Sequence, residues 1–396
     1  MLKKITALFL VAMSFSCSSD DEATPYIPIP NVSYPNVEAA FGDNLNLNIL
    51  ANYANQSVPN YITKNNSGTN LITDKGATLG RVLFYDKNLS SNNTISCASC
   101  HQQANAFGDT NVSSIGVNGT TGRHSMRLVN NRFANESKFF WDERAINLET
   151  QTTMPIKDHG EMGFSGTNGD EPFSSLVTKL SAIGYYKELF KFVYGSEEIT
   201  ENKMQLALAQ FIKSIQSFDS KFDAGRSLVP NNNQPFPNYT AQENQGKNLF
   251  LAPPVFDATG NRTSGGLGCA GCHAAPEFDI DPNTRNNGII GTISGTGIDI
   301  TNTRAPSLRD LVKVNGNTNG PMMHTGVITT LQAAIGHYGT INIAPGNTNL
   351  DPRLRPNGFG QQLHLTAPEV NSVIAFLRTL TGTDVYTNPK WSNPFL

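Results

Sequence analysis

Charge is scarce in this chain. Only 15% of its 396 residues are Asp, Glu, Lys or Arg, and the formal net charge is −3. With no basic tract there is no electrostatic footprint for nucleic acid. Long apolar runs are also missing: past the stretch from Ile5 to Phe15, nothing approaches the ~20 residues of a membrane-spanning helix. Strand patterns are few, and Asn, Gly and Thr are abundant, which together predict a mainly α fold with long polar loops. Cysteine is sparse too, at five. That number excludes a disulfide scaffold once its placement is read.

Four of the five cysteines fall into two copies of one pattern, Cys97-Ala98-Ser99-Cys100-His101 and Cys269-Ala270-Gly271-Cys272-His273. C-x-x-C-H is the attachment signature of c-type haem: both thiols add across the haem vinyl groups, and the adjacent His reaches the iron. A four-cysteine zinc site is the rival reading, but it leaves the His after each pair unexplained. Two covalent haems c are therefore expected, held by Cys97, Cys100 and His101 and by Cys269, Cys272 and His273.

The fifth cysteine belongs to the N-terminus. Lys3 and Lys4, the apolar run and Ser16 read as a secretory signal over 1–16, with Cys17 placed for lipid attachment; plain secretion is the alternative. Residues 17–40 read as a tether, which puts the folded body on the periplasmic side or in the cell envelope, touching membrane only through that lipid. The remainder suffices for two domains. An internal repeat supports this: Gly80-Arg81-Val82-Leu83-Phe84 precedes the first haem motif, and Gly246-Lys247-Asn248-Leu249-Phe250 precedes the second. Two tandem cytochrome c-type domains with one covalent haem each are expected, at 41–225 and 240–396, joined by a Pro- and Asn-rich linker at 226–239. Capping boxes at Thr240/Glu243 and Thr366/Glu369 mark two helix starts, and Gly382 a helix stop. Met204, Leu208, Phe211, Ile212, Ile215 and Phe218 form a core stripe, with Met204 as packing rather than an iron ligand.

With these motifs, and with F-F-W-D-E-R at Phe139–Arg144, R-A-P-S-L-R at Arg304–Arg309 and P-M-M-H-T-G at Pro321–Gly326, the chain resembles the bacterial di-haem cytochrome c peroxidases. These include the methylamine-utilisation branch that matures a tryptophan-derived quinone. The resemblance implies that peroxide is cleaved at the N-terminal haem, on His101, and that electrons enter through the C-terminal haem, on His273. It places Gln151, Pro155 and Glu161 on a Q-x-x-x-P-x-x-x-x-x-E pattern, with Glu161 as general acid/base and Gln151 as its hydrogen-bonding companion. Trp141 matches the indole between the haems, where it would relay electrons or holes as well as pack. The implied electron donor is a small cytochrome c or cupredoxin, and monomer and homodimer are both open.

Two departures stand out. Where standard members carry a distal His that closes the first haem, this chain has Val117, which cannot ligate iron, so an open first iron is expected. Where they carry a Met ligand to the second, fourteen positions after His324, stands Tyr338, with His337 beside it as the substitute candidate; Met322 and Met323 read as packing. A phenolate ligand would favour ferric iron. The resemblance also implies a calcium ion between the domains, but the position of its Asn ligand is His124 here. The function expected is reduction of hydrogen peroxide to water. The alternatives are a peroxide-driven oxidase of a protein or organic partner, toward which Tyr338 points, and a non-catalytic electron carrier.

Overall fold

A computed structural model describes residues 32–396. The expected signal sequence, Cys17 and the first part of the tether lie outside the described residues. Within the segment expected as a tether, Pro35–Phe41 forms helix α1, with Val37 and Phe41 buried. Proline at the first helical position lacks the N–H that would be unpaired there.

Ten more helices follow: α2 (Asp74–Tyr85), α3 (Cys97–Cys100), α4 (Leu148–Thr153), α5 (Phe173–Ser181), α6 (Gly184–Tyr194), α7 (Glu201–Ser214), α8 (Lys221–Arg226), α9 (Ala241–Leu251), α10 (Leu331–Gly339) and α11 (Ala367–Arg378). The strands are two short antiparallel pairs: β1 (Pro254–Phe256) with β2 (Arg262–Gly265), and β3 (His273–Ala274) with β4 (Asp279–Ile280). Both expected capping boxes form: Thr240 and Glu243 exchange hydrogen bonds at the start of α9, as do Thr366 and Glu369 at α11. Helix α11 ends at Arg378, four residues before Gly382, whose N–H instead donates to Asp310 Oδ1 at 2.9 Å.

The repeat in the sequence becomes a repeat in packing. Helix α2 crosses α7 where a Cβ on Gly80 would lie 2.0 Å from the Ala207 carbonyl oxygen. Helix α9 crosses α11 where a Cβ on Gly246 would lie 1.8 Å from the Ser372 carbonyl oxygen. One turn on, Phe84 meets Phe211 with ring centroids 5.1 Å apart, and Phe250 meets Phe376 at 5.2 Å. Only glycine lets two helix backbones approach so closely. Gly80→Val should therefore lower stability by about 2–3 kcal/mol through overpacking, read as a lower denaturant midpoint; an unchanged midpoint would show that the crossing relaxes freely.

The apolar core falls into two main clusters, one holding Leu79, Phe84, Phe107, Leu208 and Phe211, the other Phe222, Phe250, Phe278, Val373 and Phe376. Met204 is fully buried in the first, as packing. The core passes from one cluster to the next between Ile215 and Phe222, before the expected linker, whose Phe236 and Tyr239 are themselves buried in the second. The chain's end returns to the first cluster through Val385 and Trp391, where Tyr85 Oη donates to the Trp391 carbonyl at 2.6 Å.

Candidate functional site

Each C-x-x-C-H motif opens onto a large cavity. The first, about 770 Å³, is lined by Cys97, Cys100, His101, Trp141, Gln151 and Glu161. The second, about 660 Å³, is lined by Cys269, Cys272, His273, Met322, Met323 and Tyr338. All six expected residues of the N-terminal site thus share one space, although Gln151 and Glu161 come from a segment 50 or more residues after the motif.

The local structure explains how. Asn147 caps α4 by accepting from the Thr150 N–H at 2.8 Å. The helix is anchored to α7 by an ion pair of half-buried Glu149 with buried Lys213, Nζ to Oε1 at 2.5 Å. Gln151 sits on its last turn. The chain then reverses at Asp158, whose Oδ1 accepts from the N–H groups of Gly160 (2.9 Å) and Glu161 (3.0 Å), an Asx turn that presents Glu161 to the cavity. Burial, then the charge of Asp158, pushes the Glu161 carboxyl up to about 7, with Arg144 opposing. A carboxyl poised there can both take and give a proton near neutrality. Because only the ionised form can take the first proton, the rate of reaction with peroxide should rise with pH through about 7. A stopped-flow pH profile that is flat from 5 to 9 would contradict this.

The residues present fit a haem in each cavity. His101 Nδ1 lies 3.2 Å from the Phe107 carbonyl oxygen, which fixes the tautomer that leaves Nε2 with the lone pair a metal needs. Ala106 and Phe107, both left-handed (φ 53° and 58°), form the turn that brings that carbonyl in. His273 Nδ1 is buried without a partner, and burial followed by Arg353 and Arg127 lowers its pKa to about 4, so the ring is neutral. The four motif cysteines are free. Burial pushes the Cys97 and Cys269 thiols up to about 12, and Cys100 and Cys272 to about 11, so all four are held as the thiols that vinyl addition uses.

Trp141 lines both cavities, and is 7% exposed. Its indole N–H donates to the His124 carbonyl at 2.7 Å, and its own carbonyl accepts from Thr303 and Arg304 at 2.9 and 3.1 Å. His324, buried, stands edge-on to it with ring centroids 6.2 Å apart. In the second cavity Tyr338 is on the lining, whereas His337 is not among the lining residues and its Nε2 is bonded to the Asn287 carbonyl at 2.8 Å. Asn287 Nδ2 reaches both Met323 Sδ (3.2 Å) and Tyr338 Oη (3.4 Å).

Val117 turns away from the first cavity: its Cγ2 lies 2.9 Å from where a Cβ on Gly163 would stand. His159 pairs with Asp170 at 2.9 Å and His364 with Asn261 at 2.9 Å, both away from the cavities. The calcium expectation gains no support. Among the described residues no group of three or more His, Cys, Asp or Glu could hold a metal. His124 instead holds the Asn111 carbonyl at 2.9 Å. Arg144, the last residue of F-F-W-D-E-R, carries no role that the sequence alone announces. The structure places it on the cavity wall, stacked 3.6 Å over Phe140 and paired with Asp142 at 2.9 Å. Arg123 joins Asp142 (2.8 Å) to Asp299 (2.7 Å) of the distant 290–300 loop, a contact no local pattern announces.

A helical body with two such cavities sharing an indole wall defines a di-haem c-type redox protein. Comparison with known proteins agrees: residues 74–227 match the family described as di-haem cytochrome c peroxidase. It is 28% identical over 323 residues to the methylamine utilization protein MauG of Methylophilus methylotrophus, covering 79% of this chain and 84% of that one. It is also 28% identical over 317 residues to the cytochrome c551 peroxidase of Nitrosomonas europaea, covering 77% and 80%. Among solved structures, a MauG-like protein associated with microbial copper homeostasis superposes with a TM-score of 0.65 at 27% identity, covering 86% of this chain and 99% of that one. The family is one of oxidoreductases acting on peroxide, and it implies two haems c.

Proposed function

We propose that this chain reduces hydrogen peroxide to water at the N-terminal cavity, with electrons entering through the C-terminal one. The observation that carries this is the convergence of Gln151 and Glu161 on the cavity of Cys97, Cys100 and His101, with Trp141 forming a wall common to both cavities. When bound, the haems supply an iron that takes up and reduces peroxide and a second that passes electrons on. Glu161 takes the proton from one peroxide oxygen and returns it to the other, which leaves as water. Gln151 orients the peroxide by hydrogen bonding. Trp141 fills the gap between the sites with a polarisable ring where water would otherwise stand. The two halves are read as tandem cytochrome c-type domains, and the donor as a small cytochrome c or cupredoxin.

Tyr338 on the second lining favours a second reading, in which peroxide drives oxidation of a protein or organic substrate. The stoichiometry with a reduced small cytochrome separates the two. Two donor equivalents oxidised per peroxide consumed support the peroxidase. Peroxide consumption without donor oxidation supports the oxidase. No peroxide consumption at all refutes both.

A further inference from the structure

The segment where Val117 stands has a structure of its own. Ile115 and Thr120 form an antiparallel bridge, Gly116 N–H donates to the Gly119 carbonyl at 2.9 Å, and Thr121 N–H donates to the Ser114 carbonyl at 2.9 Å. This hairpin is pinned at its root: Ser114 Oγ, buried, donates to buried Asp109 Oδ2 at 2.5 Å and meets Ser125 Oγ at 2.7 Å. Its tip rests on the turn that carries Glu161. Val117 N–H donates to the Glu161 carbonyl at 3.0 Å, Asn118 N–H to the Gly160 carbonyl at 3.2 Å, and Asn118 Nδ2 to the His159 carbonyl at 3.0 Å.

The contact leaves no space. A Cβ on Gly116 would stand 2.1 Å from the Gly160 carbonyl oxygen and 2.8 Å from Glu161 Cα. Gly116 is not left-handed, so what glycine contributes there is the missing side chain rather than conformational freedom. On its other flank the turn is held by Asp158 and by Ser91, whose N–H donates to the Met162 carbonyl at 2.9 Å. The Glu161 carboxylate makes no hydrogen bond to another described residue. Its position in the cavity therefore depends on where its backbone is held.

We infer that the 115–120 hairpin is a fixed rest for the Glu161 turn, and that Gly116 is a positioning residue acting through Glu161. The inference depends on the acid/base reading of Glu161, and the test separates the two. Gly116→Ala, Asn118→Ala and Glu161→Gln are compared with wild type, each purified with both haems attached. Haem content, resting spectrum, fluoride affinity, rate of reaction with peroxide per haem, and the pH at which that rate is half-maximal are measured.

The expected result is that Gly116→Ala keeps both haems, yet reacts with peroxide about tenfold or more slowly, as sub-ångström misplacement of a reacting group does. It should also shift the pH midpoint and move fluoride affinity in the direction Glu161→Gln does. Asn118→Ala, at an exposed position, should do the same to a smaller extent. Wild-type rate and midpoint in Gly116→Ala, beside a slow Glu161→Gln, would overturn the positioning role and leave the acid/base role standing. A wild-type rate in Glu161→Gln would overturn both. If Gly116→Ala fails to fold or loses haem, Asn118→Ala decides, and a wild-type rate and midpoint there would sink the inference.

Discussion

Glu161→Gln, with both haems in place, will react with hydrogen peroxide about 10²–10⁴-fold more slowly than wild type, the span that a positioned acid/base contributes. Glutamine keeps the size and a hydrogen-bonding end but cannot accept a proton to become neutral or give one up. Glu161 is the group placed to do both: it lines the cavity of Cys97, Cys100 and His101, and burial lifts its carboxyl to about 7. The neighbouring acids do not substitute. Asp142 is held by Arg123 and Arg144 and kept below its ordinary range, so it stays ionised through neutral pH. Of the other acids on the lining, Asp158 is engaged by the Gly160 and Glu161 N–H groups, Asp299 by Arg123 and Asp279 by Lys64. The change should spare haem attachment, because Glu161 supports neither thiol nor imidazole. Stopped-flow mixing of the oxidised protein with peroxide checks this, and a wild-type rate would remove Glu161 from the chemistry.

Tyr338→Met will raise the reduction potential of the C-terminal haem by on the order of 100 mV or more, part of the ~0.8 V range that axial ligands span. A phenolate is a hard anion that stabilises ferric iron, whereas a thioether favours the ferrous state. Tyr338 is half-buried against the second cavity and its carbonyl is fixed by Gln361 Nε2 at 2.6 Å, so the ring is held on the lining by its own helix α10. Burial raises its phenol pKa well above the ordinary value, so ionisation would depend on coordination. Spectroelectrochemistry reads the outcome. An unchanged potential would exclude Tyr338 as ligand and send the search to His337, which would first have to release the Asn287 carbonyl.

Much of this site is legible in the sequence because it is written in local patterns. C-x-x-C-H fixes two thiols and an imidazole within five residues, and each copy does open onto a haem-sized cavity. The repeat Gly80…Phe84 and Gly246…Phe250 reads through to equivalent helix crossings because glycine is demanded by backbone contact. The Thr/Glu capping boxes are similarly local.

What escapes is long-range. That Val385 and Trp391 return to the first core depends on Tyr53 and Tyr85 donating to the Lys390 and Trp391 carbonyls, more than 300 residues away. Helix α8, placed by sequence with the first half, puts Phe222 in the second cluster, because a short amphipathic segment fits either core. Val117 reads in the sequence only as a missing ligand; its backbone contact with Glu161 leaves no compositional trace.

The most direct test of the whole account is low-temperature EPR of the fully oxidised protein with both haems in place. An open N-terminal site beside a Tyr338-ligated C-terminal one predicts a high-spin ferric signal together with a low-spin signal. Two low-spin signals would contradict it, because some residue would then close the cavity that Glu161 is placed to serve.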